Sequence, residues 1–182
     1  MPRHTEELGP GEWAVLALLC QRPSHGWAVA SRLGRSGDIG AIWSLGQPLV
    51  YHGLSRLEER RFIVATGIER GARGPHRVIY APTEEGRQQV ATWLAEPVDR
   101  VRDVRSLFLL KVVLAQNLDL DVEPLLRAER RVIEPLALVL EVQLDDARAE
   151  GVPKGDLTAL RFRLETTRSV VRFIDDLLDN PS

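Results

Sequence analysis

The hydrophobic positions change their period along the chain, and each change marks a different kind of element. Residues 12–21, EWAVLALLCQ, are a continuous apolar run of good helix formers between Gly9-Pro10-Gly11 and Pro23, which predicts a buried first helix. Ser24 is a candidate N-cap for a short second helix ending near Gly34, with Ala28, Val29 and Leu33 facing inward. The turn-rich RSGDIGA follows. A third helix is expected from Gly46-Gln47-Pro48 to about Arg60, because proline is accepted in a first helical turn, where its missing N–H has no intrahelical partner. Within it Val50, Leu54 and Leu57 share one side, leaving Gln47, His52, Ser55, Arg56 and Glu59 towards another. One side packs and the other is available to a partner.

Two β-prone runs come next, FIVATGI (62–68) and RVIYA (77–81), around the Gly- and Arg-rich ERGARGPH (69–76). They predict a hairpin with a long loop. Thr83 then opens a helix with Glu84 and Glu85 in its first turn, where the helix dipole favours them, and Val90, Trp93 and Leu94 as apolar anchors. Pro97 is the expected end of a first domain, 1–97, and 98–182 forms a second. The second domain loses strand signals and reads as helices at about 103–117, 121–149 and 155–179. In the last, Leu157, Leu164, Val171 and Leu178 recur every seven residues, with Leu160 and Ile174 at the companion spacing and Thr167 interrupting it. The preceding helix carries Leu126, Ile133, Leu140 and Ala147 at the same period, and Pro135 is expected to kink or split it near Arg131. Two long amphipathic helices joined by EGVPKG predict an antiparallel hairpin. Its apolar seam is expected to be covered by a second copy of the chain, the alternative being packing within the same chain.

Composition narrows the classes. With 44% hydrophobic and 27% charged residues over 182 positions, the chain is expected to fold rather than stay disordered. Its single cysteine, Cys20, rules out an intrachain disulfide and is expected as a small core residue. The start MPRHTEELGPGEW is too polar for a signal peptide and no apolar run reaches bilayer length, so a cytoplasmic location is expected. The net charge of −2 is uneven: residues 1–95 sum to +2 and 96–182 to −4, so the first half is the better candidate for an anionic partner. Every basic residue except Lys111 and Lys154 is arginine, which fits biased base composition as well as a need for bidentate contacts.

Helix, helix, helix, two strands with a basic loop and a capping helix is the order of a winged helix-turn-helix. The expected fold class is therefore mainly α with a small β-hairpin, followed by a helical dimerisation domain. In such a domain the third helix can enter the major groove while the wing meets phosphates. That makes Gln47, His52, Ser55 and Arg56 candidate readers and Arg70, Arg73 and Arg77, with His76, candidate backbone contacts, opposed locally only by Glu69. No nucleophile with its base, carboxylate pair or phosphate-binding glycine loop is visible, so an enzyme is not expected. His25, His52 and His76 lack a metal-ligand spacing, and no cofactor is expected. Trp13, Trp27, Trp43 and Trp93 are expected in the core, although Trp93, near the expected domain junction, is also a candidate ligand-pocket residue. The competing function is an adaptor that uses a winged domain for protein contacts.

The ordered set His25-Gly26-Trp27, Trp43, Val50-Tyr51 through Leu54, Arg56-Leu57-Glu58-Glu59 to Ile63, Tyr80, Thr83, Gly86-Arg87 and Leu109-Leu110-Lys111 resembles the PadR family of transcription regulators. The resemblance implies a homodimeric repressor of double-stranded operator DNA whose affinity falls when a small apolar or aromatic effector binds. It also implies DNA contacts from Tyr51 and Arg56; for Tyr51 the alternative is packing on the helix-turn-helix core. Pro48 and Arg61 depart from the family pattern, which has small residues or glycine there. Arg61 lacks glycine's easy access to a left-handed helix end, at a cost of roughly 1 kcal/mol.

Overall fold

The computed structural model describes residues 7–69, 76–98 and 103–180, which divide into two compact units. The first takes the chain up to Ala95 together with Leu109–Leu120; the second takes Glu96–Phe108 and the residues from Asp121 onward.

In the first unit α1 (Pro10–Gln21) is the central helix. Its run Ala14–Leu19 is buried on every side, which is why the sequence shows no polar face there. Glu12, at the third helical position, accepts the Gly9 N–H at 2.6 Å and so satisfies a donor that the first turn leaves over. The strand β1 (Ser24–His25) comes before α2 (Gly26–Leu33), so Ser24 is not the cap. His25 takes that role, its Nδ1 accepting the Ala28 N–H at 3.0 Å. Val29 and Leu33 point inward. The link to α3 (Gln47–Glu59) folds back tightly: a Cβ on Gly40 would collide with the Gly34 carbonyl, so only glycine fits. Arg32 braces the same link, pairing with Asp38 and donating to Gln21 Oε1 at 2.6 Å.

Helix α3 ends in a full Schellman turn. Phe62 N donates to Leu57 O and Arg61 N to Glu58 O, both at 2.9 Å, with Arg61 in the left-handed region at φ 61°. Strands β2 (Ile63–Glu69) and β3 (Arg77–Pro82) pair antiparallel, with a bulge between Ala65 and Gly67. β3 also pairs with β1, giving the sheet order β1-β3-β2. Thr83 caps α4 (Glu84–Ala95): its hydroxyl accepts from Gly86 N at 3.0 Å and donates to Arg61 O at 2.8 Å. Helix α5 (Leu109–Gln116) belongs to this unit, although its sequence lies beyond residue 97. Its buried Lys111 donates to Trp93 O at 2.6 Å, placing a cation on a carbonyl that the last turn of α4 leaves unbonded.

The second unit holds a π-helical turn, Val104–Phe108, and the hairpin of α6 (Glu123–Ala149) and α7 (Lys154–Asp179). Helix α6 runs unbroken through Pro135, so the expected split near Arg131 does not occur. Leu140, Leu144 and Leu164 form the hairpin's apolar cluster, with Ala137, Leu157 and Leu160 against it. Thr167, the interruption in the apolar stripe, is fully buried and bonds its hydroxyl to Arg163 O at 2.8 Å. The buried Glu129 accepts the Val98 N–H at 2.7 Å.

Candidate nucleic-acid interface

Helices α2 and α3 are locked by a close contact. A Cβ on Gly26 would lie 2.8 Å from the Tyr51 ring and 2.9 Å from Leu54, so glycine at the start of α2 lets α3 seat against it. Val50, Leu54 and Leu57 bury the inner side of α3. Its outer side presents Gln47, Pro48, Leu49, His52 and Ser55 to solvent, and Ser55 Oγ donates to Tyr51 O at 3.2 Å. Tyr51 does two things at once: its ring packs over Gly26 while 45% of the residue stays exposed. Across from it lies Tyr80 on β3, whose hydroxyl is held protonated by burial first, then by Glu58 and Tyr51 nearby.

Arg56 is engaged with the domain itself. Its Nη1 lies 2.7 Å from Glu12 Oε1, and the two side chains are 23% and 12% exposed. Glu12 thereby joins the N-terminus of α1, through Gly9, to the middle of α3. The pair fixes how α3 sits on α1 and so sets the height of its outer side.

A second cluster sits at the root of the wing. Glu69 and Arg77 are cross-strand partners at the open end of the β2–β3 ladder. His25 Nε2 lies 3.3 Å from Glu69 Oε2 and 3.3 Å from Arg77 Nη1. Because Nδ1 accepts from Ala28, the neutral ring carries its proton on Nε2, and only the carboxylate can accept it. The Arg77 guanidinium lies over the Trp27 indole, 5.1 Å from the ring centroid. Trp27 is 53% exposed, against the expectation of a core residue: Val29 and Leu33 define the inner side of α2, and Trp27 projects from another. With His25, Glu69, Thr66 and Ile79 it lines an open groove of about 900 Å³ between α2 and the sheet. Arg70 and Arg73 lie outside the described residues; His76 is exposed at the wing's return.

Trp93 is buried, stacked on Trp13 with centroids 5.6 Å apart, and Lys111 Nζ lies 4.7 Å from its ring centroid. Cys20 is half-buried, and burial pushes its thiol up to about 11, which keeps it an unreactive thiol. Among the described residues no cluster of His, Cys, Asp and Glu could hold a metal ion, and no helix is long and apolar enough to cross a membrane. The stripe Leu157, Leu160, Leu164, Val171, Ile174 and Leu178 is buried or half-buried on α7, with Leu157, Leu160 and Leu164 packed in the hairpin's own cluster. The exposed apolar side chains of this unit, Leu138, Val139, Val142, Phe162 and Phe173, lie elsewhere. Leu49, apolar but exposed, falls outside a division of α3 into an apolar inner side and a polar outer one.

Residues 15–92 match the model of the transcriptional regulator PadR-like family. A probable transcriptional regulator of Mycobacterium tuberculosis, Rv1176c, is 34% identical over 93 residues, 51% of this chain and 48% of that protein. The match thus spans about half the length of the curated relative. Among solved structures, Bacillus subtilis PadR in complex with operator DNA is 19% identical, with 92% of this chain and 97% of that chain covered, at a TM-score of 0.46. The Vibrio cholerae virulence activator AphA is 18% identical over 93% of this chain and 96% of that one, at a TM-score of 0.41.

Proposed function

We propose, from the match of residues 15–92 to the transcriptional regulator PadR-like family model, that the chain is a member of that family and a sequence-specific DNA-binding regulator acting in the cytoplasm as a homodimeric repressor. The observation that carries this reading is the outer side of α3. There Gln47, His52 and Ser55 are exposed, while Val50, Leu54 and Leu57 are buried against the domain and α1 and α2 hold the helix from behind. A helix-turn-helix inserts such a turn into the major groove, where every base pair shows a distinct edge. Gln47, Tyr51, His52 and Ser55 face the bases in this reading. Arg56 orients the helix through Glu12, and Arg70, Arg73 and Arg77 meet the phosphates.

We further propose that residues 98–182 provide dimerisation. The apolar side chains outside the hairpin's own core support a second copy as partner, with the Leu157–Leu178 stripe stabilising the hairpin that presents them. Repression is relieved, in this reading, by an apolar or aromatic effector sensed through Trp93. The bilateral packing of its ring by Trp13 and Lys111 would make its fluorescence report binding.

The test is selection of duplexes from a randomised pool by the purified full-length chain, followed by mobility shifts over a range of salt. A shared motif, with a salt slope that flattens in Arg77→Ala, is the expected result. Absence of any enriched motif, with protein partners captured instead from nuclease-treated extract, would establish the adaptor reading.

A further inference from the structure

We propose that the leading turn of α3 reads a pyrimidine C5-methyl group in the major groove, and that Leu49 is the residue that meets it. The proposal rests on the DNA-binding reading above and goes beyond it by naming the chemistry recognised.

Leu49 is 57% exposed at the third position of α3. Successive helical residues turn by about 100°, so Leu49 cannot rotate inward beside Val50, which is fully buried in the core. Its neighbours on the outer side are Pro48 just before it and His52 one turn later, both exposed. The turn therefore offers the solvent an apolar edge where hydration favours a polar residue. On a duplex the complement of such an edge is a methyl group. Among the base edges of the major groove the thymine C5-methyl is the group that projects as an apolar knob, and 5-methylcytosine displays the same group.

Two further features favour reading by the N-terminal part of α3. Glu58 and Glu59 are exposed at the far end of α3, where their carboxylates repel phosphates and hold that end away from the duplex. Arg56, the side chain with the geometry for guanine, has its Nη1 on Glu12. Gln47, also exposed in the leading turn, has the amide geometry that suits adenine N6 and N7.

The test uses the full-length chain and its selected duplex, with each thymine replaced in turn by deoxyuridine, which removes only the methyl. One position per half-site is expected to lose about fourfold in affinity, the size of one methyl leaving an apolar contact. Restoring the methyl with 5-methylcytosine at a C·G pair in that position distinguishes a reader of the methyl from a reader of the whole thymine. Leu49→Ala, which alters an exposed side chain, is expected to bind the thymine and uracil duplexes equally while melting as the wild type does. Equal affinity of the wild type for every uracil duplex, or undiminished methyl sensitivity in Leu49→Ala, overturns this proposal and leaves DNA binding intact. Failure to enrich any motif overturns both.

Discussion

Replacing Arg61 by glycine is expected to stabilise the first unit by about 0.5–1 kcal/mol. Arg61 stands at φ 61°, one residue past the cap of α3, where the chain must turn left-handed for Phe62 N to reach Leu57 O and Arg61 N to reach Glu58 O. An L-residue in that region costs roughly 1–2 kcal/mol, because its Cβ crowds the following carbonyl. Glycine removes that cost but gives back about 0.5–1 kcal/mol through the extra freedom of its unfolded chain. The side chain is exposed, so little packing is lost. Arg61→Ala serves as the control, since it removes the same charge and keeps the strain. For a chain of this size about 1 kcal/mol moves the melting midpoint by about 2–4 °C. Thermal and urea unfolding of the two variants and the wild type should rank glycine highest. A glycine variant melting at or below the alanine variant would show that the left-handed turn carries no strain and refute the reasoning. The turn also carries the Thr83 cap through Arg61 O, so strain relieved here is felt where α4 begins.

Breaking the Glu12–Arg56 pair should cost about 1–2 kcal/mol, between the values for exposed and buried pairs because both side chains are mostly but not wholly covered. A double-mutant cycle of Glu12→Gln and Arg56→Ala in urea measures it, and a coupling of zero removes the pair from the account of how α3 is seated. Lys111→Met should destabilise by about 1.5–3 kcal/mol, the range for a hydrogen bond from a charged group, since Trp93 O loses its donor. An unchanged urea midpoint would mean that methionine packing offsets the lost bond. Asp38 is held below its ordinary value chiefly by its hydrogen bond to Arg32. A depressed folded pKa gives stability that is present above the unfolded value and lost as pH falls through the folded one. The gap between wild type and Asp38→Asn should therefore be full near pH 6 and close below about pH 4. A gap that widens on acidification contradicts the pairing.

The sequence was legible wherever local periodicity decided the outcome. Helices α1, α3, α4, α6 and α7 and both wing strands fall within a few residues of where the apolar spacing puts them. It was silent where the deciding partner is distant. The strand β1 is two residues long and exists only because Ser24 and His25 pair with Tyr80 and Ile79 more than fifty positions later, and that pairing passes the cap of α2 from Ser24 to His25. Lys111 looked like any basic residue until α5 folded against the end of α4. At the candidate interface, sorting residues as polar or apolar finds the exposed side of α3 but misses Leu49, because an apolar side chain that does not face the core fits neither set.

The heptad stripe of α7 shows a different limit. A repeat specifies that a face is buried without naming what buries it. The structure supplies what the pattern lacks: α6 ends at Ala149, Gly151 turns at φ 68°, and α7 begins at Lys154. A link this short brings α6 alongside α7 before any second chain can arrive, so the seam closes on itself at a far higher effective concentration. The surface proposed for a second copy is therefore what that closure leaves outside, and among the described residues Leu138, Val139, Val142, Phe162 and Phe173 are the large apolar side chains it leaves exposed.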